Sequence, residues 1–161
     1  LEEGAKRDFV FNTVDIMPSL LSMMGLPGTG EEEGKDLSDC IFGRADTEEG
    51  ALMMCTGPTA VFGDGNEWRA YRTKRYTYAV FKSDGQELLF DNEKDPYQMR
   101  NLMGQPDYER IGAELKAAMY RKMEEIGDTF EHNSYYEKNW IENRIIKRTA
   151  TLSPENCEDS L

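Results

Sequence analysis

Apolar and polar positions near the start of the chain repeat with the period of a helix. The segment FNTVDIMPSLLSMMGLP, residues 11–27, carries apolar side chains about one turn apart. This stripe consists of Ile16, Leu20 and Met24. Asp15 stands where an N-cap belongs, and Pro18 falls in the first turn, where its missing N–H does no harm. Gly25 fits the left-handed position after the last turn, so the pattern predicts a helix over residues 15–24.

In the middle of the chain, patterns typical of strands replace the helical period. The short apolar run ALMMCT, residues 51–56, predicts a buried strand, and the turn formers of residues 57–67 predict a surface loop. The segment EWRAYRTKRYTYAVF then predicts two strands, over residues 67–74 and 75–82. In the first of these strands, one face carries Trp68, Ala70 and Arg72, and the other carries Arg69, Tyr71 and Thr73.

Turn residues and a long apolar stripe complete the pattern. Ser83-Asp84-Gly85 predicts a hairpin that leads into a strand over residues 87–91, and KDPYQM predicts a short helical turn. Pro106 begins the longest predicted helix, and Gly127 ends it. Its stripe consists of Ile111, Leu115, Ala118, Met119, Met123 and Ile126. These elements predict an α+β fold, with a small antiparallel sheet of three to four strands packed on a long helix.

The last part of the chain is polar with scattered aromatic side chains. Residues 135–146 predict a further helix that contains Trp140, Ile141 and Ile145. The last ten residues predict disorder.

Composition narrows the classes of partner. The 161 residues carry a net charge of −12, which disfavours binding to nucleic acid or to an anionic membrane surface. No apolar run approaches the roughly 18 residues of a membrane span. The length suits one domain. The chain begins at Leu1, inside an acidic segment, so we expect it to be a fragment.

The candidate nucleophiles and metal ligands form no complete site in the sequence. Cys40 and Cys55 have no neighbouring base and are interpreted as structural thiols. His132 is the single histidine, which excludes a histidine-rich metal site. The acidic run of residues 31–33 is typical of a solvated loop rather than of a Ca²⁺ site. We therefore predict no catalytic residue and no metal ligand in this chain.

The remaining candidates are binding residues in and beside the first strand of the predicted hairpin. They are Glu67, Trp68, Arg69 and Arg72, and Lys74 and Arg75, which follow in the sequence, are further candidates. A guanidinium group presents a planar fork that suits sulfate, carboxylate or phosphate, and an indole offers a flat face to a sugar or aryl group. The alternative is that Trp68 belongs to the core and that the cations are paired or solvated strand positions.

Four segments, in order, resemble the type I sulfatases. VDIMPSLLSMMGLP resembles that family's Val-Asp-Ile-x-Pro-Thr-Leu-Leu helix, which ends at Gly and Pro. GKDLSDCIFG, residues 34–43, is similar to the Gly-x-Ser/Asp-Leu step that follows it. WRAYRTKRYTYAVF resembles the Arg-Thr-x-x-Tyr-x-Tyr strand pair, and ELLFDNEKDPYQMRNL resembles the Leu-Tyr/Phe-Asp-x-x-x-Asp-Pro segment. Together they cover residues 10–102, and the helix over 106–126 fits the family's closing helix.

The resemblance implies that the chain is the C-terminal part of a sulfatase of the alkaline phosphatase superfamily. Residues 1–45 would then be the end of the large α/β domain and a linker, with the helix over 15–24 at that domain's edge. Residues 46–130 would be the C-terminal subdomain, and residues 131–161 a tail. The family's nucleophile is a formylglycine made in a Cys/Ser-x-Pro-x-Arg motif, and acidic pairs hold its Ca²⁺. This chain has no such motif, so both cofactors are expected in a missing N-terminal domain.

The resemblance also implies partners and a place for the candidate binding residues. The missing domain is the expected protein partner, and a sulfated small molecule or glycan is the expected substrate. Because the family's C-terminal subdomain often lines the pocket, the loop of residues 57–67 and Trp68, Arg69 and Arg72 become candidates for its wall. One alternative is a phosphonate monoester or phosphodiester hydrolase of the same superfamily, and another is a stand-alone binding module. Sulfatases of this type are usually exported to the periplasm or beyond, or lysosomal, and the sequence itself assigns no compartment.

Overall fold

The structure, a computed structural model, describes residues 4–30, 32–56, 63–142 and 145–146. The chain divides into two compact units, Leu1–Ala51 and Leu52–Leu161. The predicted loop over residues 57–67 is described only from residue 63, and the last ten residues lie outside the described part. No helix in the described ranges is long and apolar enough to cross a membrane.

The first unit is built around helix α1, Ile16–Met23, and the short helix α2, Ser38–Phe42. A 3-10 turn, Thr13–Asp15, precedes α1 and is closed by a capping box between Asn12 and Asp15. The expectation that Asp15 caps the helix with its side chain was wrong. Its carboxylate instead accepts hydrogen bonds from the backbone N–H of Asn12 and of Lys35, each at 2.9 Å, because the chain enters α1 through the extra turn.

Helix α1 buries a polar side and exposes its apolar one. Ser19 is 1% exposed, and its hydroxyl accepts a hydrogen bond from the backbone N–H of Leu37 at 2.9 Å. Ser22 lies 3.0 Å from the hydroxyl of Ser38 in α2. The predicted stripe is exposed to 43%, 50% and 68% at Ile16, Leu20 and Met24 respectively. The helix packs within its own unit through serines, and its apolar stripe remains open.

The predicted sheet has four strands in the order β1-β2-β3-β4 and, apart from the first residue of β1, belongs to the second unit. The strands are β1 (Ala51–Cys55), β2 (Trp68–Arg72), β3 (Tyr76–Phe81) and β4 (Glu87–Asp91). β2 and β3 are antiparallel, as are β3 and β4. Gly85 makes the β3–β4 turn possible with a φ of +70°, where an L side chain would be strained. The predicted α+β fold with an antiparallel sheet of three to four strands is confirmed, and the sheet has four.

Helix α3, Glu109–Glu125, covers one face of this sheet. Pro106 opens the preceding 3-10 turn, and Gly127 follows the helix with a φ of +69°. The core between helix and sheet consists of Leu52, Tyr71, Tyr78, Val80, Leu89, Leu102, Leu115, Met119 and Met123. The predicted helical stripe lies against this core, with its outer members partly buried.

The segment after α3 differs from its prediction. Helix α4 spans Asn133–Trp140, and two short antiparallel strands follow, β5 (Ile141–Glu142) and β6 (Ile145–Ile146). The predicted helix over residues 135–146 was therefore wrong at both ends. Its start is set by contacts with a distant segment, and β-branched residues favour strands at its end. The KDPYQM segment forms a single turn, with a hydrogen bond from Gln98 N–H to Asp95 C=O at 3.0 Å.

Candidate functional site

The four predicted binding residues divide between the two faces of β2. Arg69 lies on the side of Tyr71, which packs into the core under α3. Glu67 also bonds to residues on this side, as described below. Trp68 and Arg72 lie on the opposite face, where Trp68 is half-buried and Arg72 is exposed. The sequence alternation predicts this division, and the four residues do not form one cluster.

Arg69 is a buried anchor that joins several segments of the second unit. Its side chain is 0% exposed and forms an ion pair with Asp128, with one hydrogen bond at 2.9 Å. Its five N–H donors form five hydrogen bonds. Two go to the Asp128 carboxylate, and one each goes to the Cys55 carbonyl, the Trp68 carbonyl and the Tyr136 hydroxyl. The guanidinium also lies 4.5 Å from the centre of the Phe130 ring. No donor is left for a ligand.

The charge of Asp128 keeps this buried arginine protonated. Burial alone would lower the pKa of Arg69, but the hydrogen bonds and negative charge of Asp128 outweigh burial and hold the pKa above its ordinary value. Burial raises the pKa of the Tyr136 hydroxyl above its ordinary value, so this phenol stays protonated beside the ion pair. The network is therefore a fixed ion pair with a neutral phenol beside it.

Glu67 and Asp64 hold the N-terminus of α4 from a distant part of the chain. Glu67, 0% exposed, accepts a hydrogen bond from the backbone N–H of Asn133 at 2.6 Å and another from that of Gly65 at 2.8 Å. Asp64 accepts from the backbone N–H of Ser134 at 2.8 Å and from its hydroxyl at 2.9 Å. The two carboxylates thus satisfy orphan N–H groups that α4 cannot satisfy itself.

These contacts set the protonation of both carboxylates. Burial would raise the pKa of Glu67, but the N–H groups of Asn133 and Gly65 outweigh it, so the pKa lies below its ordinary value. The backbone and hydroxyl of Ser134 likewise lower the pKa of Asp64. Both groups are anionic at neutral pH.

His132 completes a group that has the composition of a cation site. Asp64, Glu67 and His132 bring one ligand atom each within 4.8 Å of one another. The imidazole Nδ1 lies 3.7 Å from Glu67, and the ring is 46% exposed. Each carboxylate oxygen of the group already accepts a hydrogen bond from α4 or from Gly65. Capping accounts for the positions of both carboxylates, so we assign this group as the cap of α4.

A local reading of the sequence missed this arrangement. Asp64 and Ser134 are separated by 70 residues, and Arg69 and Asp128 by 59. The polar segment after Gly127 resembled a tail because its partners lie in another part of the chain. The available signal was the concentration of Asp128, Asn133 and Ser134, which are residue types that cap helices.

The opposite face of β2 carries a second polar network around Thr77. Thr77 lies directly across from Arg72 in the β2–β3 register, and its hydroxyl is 3.3 Å from Arg72 Nη1. Asn92 and Gln98 donate to the same hydroxyl at 3.0 and 3.3 Å, and Gln98 donates to the Asn92 side chain at 2.8 Å. The network holds an exposed guanidinium beside a rigid set of neutral groups.

No family model matches the chain. Individual proteins do: 142 residues are 39% identical to an ulvan-active sulfatase of Formosa agariphila, over 86% of this chain and 27% of that protein. An arylsulfatase of Clostridium perfringens is 28% identical over 123 residues, which is 76% of this chain and 24% of that protein. The chain thus spans about a quarter of the length of these curated relatives.

Solved structures share the fold. A 2-O GAG sulfatase matches 80% of this chain and 26% of its own, with a TM-score of 0.60 at 22% identity. A protein in complex with its substrate D-glucosamine-2-N,6-O-disulfate matches 68% of this chain and 23% of its own, with a TM-score of 0.59 at 19% identity. A phosphonate monoester hydrolase of Agrobacterium radiobacter matches 67% of this chain and 24% of its own, with a TM-score of 0.51 at 22% identity. At these identities the likeness shows the fold alone.

Proposed function

We infer that this chain is a segment of a sulfatase of the alkaline phosphatase superfamily, and we propose that the longer protein hydrolyses sulfate esters of sugars or aryl alcohols. The observation that carries the proposal is the 39% identity to an ulvan-active sulfatase over 142 residues. We propose that the segment is the C-terminal subdomain, with α1 belonging to the edge of the preceding α/β domain.

The role proposed for this segment is scaffold and substrate-pocket wall. Arg69 and Glu67 serve the scaffold, because their polar atoms are used within the second unit. Trp68 and Arg72 remain the candidates for contact with substrate, because they lie on the face opposite α3. An indole face and a guanidinium fork together suit a sugar that carries an anionic group.

The family's cofactors do not fit the residues of this chain. Formylglycine forms in a Cys/Ser-x-Pro-x-Arg motif, and neither Cys40 nor Cys55 is followed by that spacing. Cys40 is also buried. We therefore place formylglycine and Ca²⁺ in the upstream part of the longer protein and assign no catalytic step to this chain.

A second candidate function is hydrolysis of phosphonate monoesters or phosphodiesters. The fold similarity to a phosphonate monoester hydrolase favours it, at a TM-score of 0.51. This support is weaker than that for sulfate esters, because it rests on the fold alone. A stand-alone binding module is the third reading, which the open apolar stripe of α1 disfavours.

The test is to isolate the native protein that carries this chain and to determine its mass, peptide map and activity. We expect an upstream Cys/Ser-x-Pro-x-Arg peptide with an aldehyde modification, and turnover of 4-nitrophenyl sulfate in preference to phenylphosphonate esters. Preference for the phosphonate would select the second candidate. A native product near 18.5 kDa would overturn both hydrolase proposals.

A further inference from the structure

Arg72 differs from the other arginines of the β2–β3 hairpin in its electrostatic surroundings. Arg69 pairs with Asp128, and Arg75 pairs with Asp91 at 2.8 Å. Arg72 is exposed, and within the described ranges it has no carboxylate partner. In a chain with 31 acidic residues, an arginine without such a partner has its charge available for an external anion.

The guanidinium of Arg72 is oriented rather than saturated. Of its five N–H donors, the described contacts use one, from Nη1 to the Thr77 hydroxyl at 3.3 Å. Arg69, three residues earlier, has all its donors engaged. The two arginines offer a direct contrast between a structural guanidinium and one with donors to spare.

Thr77 is itself fixed by a network that reaches the segment after β4. Asn92 donates to the Arg75 carbonyl at 2.9 Å and to the Thr77 hydroxyl at 3.0 Å. Gln98 donates to both Asn92 and Thr77. Because these groups are neutral, they orient Arg72 without neutralising its charge.

Gln98 has a left-handed backbone conformation, which is uncommon for a residue with a side chain. Its φ is +54°, in the left-handed region that strains a residue with a side chain. Asp95 closes the turn by accepting from the Arg100 backbone N–H at 2.8 Å. Strain of this kind concentrates where a protein fixes the position of a binding group.

We propose that Arg72 binds an anionic substituent of the sugar substrate, other than the ester that is cleaved, and that Thr77 and Gln98 are its positioning residues. The substituent is a carboxylate or a second sulfate, because both present paired oxygens to the guanidinium fork. This inference rests on the proposed function and narrows it. Arg72, and not the neighbouring Arg69, is the anion receptor of the pocket wall.

The test uses the full-length protein with Arg72→Gln, Arg72→Lys and Thr77→Val, and with Arg110→Gln as a control. Arg110 is an exposed arginine of α3 that pairs with Glu114, one turn along the same helix. Binding is measured by calorimetry with three sulfated disaccharide probes. One carries a uronate, one has that carboxylate reduced to the alcohol, and one carries a second sulfate in its place. Turnover of 4-nitrophenyl sulfate, whose only charged group is the ester that is cleaved, is measured in parallel.

We expect Arg72→Gln to weaken binding of the anionic probes by about 10- to 100-fold, with Arg72→Lys and Thr77→Val intermediate. In these variants, binding of the reduced probe and turnover of the aryl sulfate should remain at wild-type values. In the control Arg110→Gln, binding of all three probes and turnover of the aryl sulfate should match the wild type. The two anionic probes identify which substituent is bound. Equal loss with the reduced probe or the aryl ester, or no loss with any probe, would overturn the inference.

Failure of the proposed function has a different signature. If the wild-type protein turns over no sulfate ester, the hydrolase assignment fails whatever the variants do. Arg72 is then judged by binding alone, and wild-type protein that binds none of the probes would also overturn its role. Melting temperatures of all variants identify any that fold poorly, and Arg72→Lys keeps the charge should Arg72→Gln be such a variant.

Discussion

Two arginines three residues apart in β2 have opposite relations to solvent. Arg69 is buried with Asp128 and has every donor engaged, whereas Arg72 is exposed and has donors to spare. The strand period of two places them on opposite faces, because positions 69 and 72 differ by an odd number. The strand period therefore predicts that the two arginines lie on opposite faces. It does not predict which of them pairs with a carboxylate.

Loss of either partner of the buried pair should be strongly destabilising. Arg69→Ala or Asp128→Ala leaves an unpaired charge in the interior, and we expect a loss of about 3–5 kcal/mol in the free energy of unfolding. Urea denaturation followed by fluorescence measures it. Arg110→Ala, which removes a surface pair, should change stability by less than about 1 kcal/mol.

Simultaneous replacement should behave differently from either single change. In Arg69→Met with Asp128→Leu, no buried charge remains, so we expect much of the lost stability to return. A double variant as unstable as the sum of the singles would show that the pair does not act as a coupled unit.

The cap of α4 should weaken in acid. The lowered pKa values of Glu67 and Asp64 mean that their contribution to stability is present above the ordinary carboxyl pKa of about 4 and is lost as the pH falls through the lowered values. Hydrogen-exchange protection factors of the Asn133 and Ser134 amides should fall over this range. In Glu67→Gln, these protection factors should be lower at neutral pH and should fall less on acidification. Glu137→Gln, at an exposed position of α4, should match the wild type. Identical profiles in all three proteins would contradict the assignment.

At the scale of elements, local patterns identified those helices and strands whose ends are set locally. β2, β3, β4 and α3 follow from alternation, turn residues and an apolar stripe, because each buries its own face. α4 did not follow, because its first residues are held by Glu67 and Asp64, about 70 positions away. The same distance hid the buried role of Arg69, whereas the shared face of Trp68 and Arg72 required only the strand period.

One close approach in the first unit has a specific requirement for glycine. A Cβ at Gly34 would lie 2.0 Å from the Val14 carbonyl oxygen, a backbone atom that cannot move without disturbing the turn before α1. We expect Gly34→Ala to lower the free energy of unfolding by about 1–3 kcal/mol, as overpacking does. Thermal unfolding measures it.

Gly28→Ala is the matched control for that substitution. A Cβ at Gly28 would come no closer than 3.3 Å to the carboxylate of Glu32, so a shift of a few tenths of an ångström makes room for it, whereas the 2.0 Å contact at Gly34 is with backbone. Equal melting temperatures for the two variants would show that the contact at Gly34 is relieved at little cost.

At the scale of the whole molecule, the open stripe of α1 is the feature that favours a larger protein. Ile16, Leu20 and Met24 are each at least 43% exposed. An exposed apolar helix face promotes association when no partner covers it. We propose that the preceding domain of the longer protein is that partner.

The isolated 161-residue chain should therefore self-associate. We expect sedimentation velocity to show species larger than the monomer, and Leu20→Glu with Met24→Lys to shift them towards the monomer. Met99→Lys is the control, since Met99 is 84% exposed in the second unit and lies outside the stripe. A monodisperse monomer of the unsubstituted chain would refute the role of α1 as a docking helix.

The exposed side of α1 carries its own chemical reporters, Met24 in the stripe and Met17 next to it. Met17 and Met24 are 61% and 68% exposed, so their thioethers are open to peroxide in the isolated chain. Beneath a covering domain the same sulfur atoms would be shielded. Conversion of these two methionines to sulfoxide, quantified by peptide mass spectrometry, therefore records whether α1 is covered in the native protein, without any substitution. The oxidised side chains are polar, so oxidation before assembly would also oppose docking of this helix.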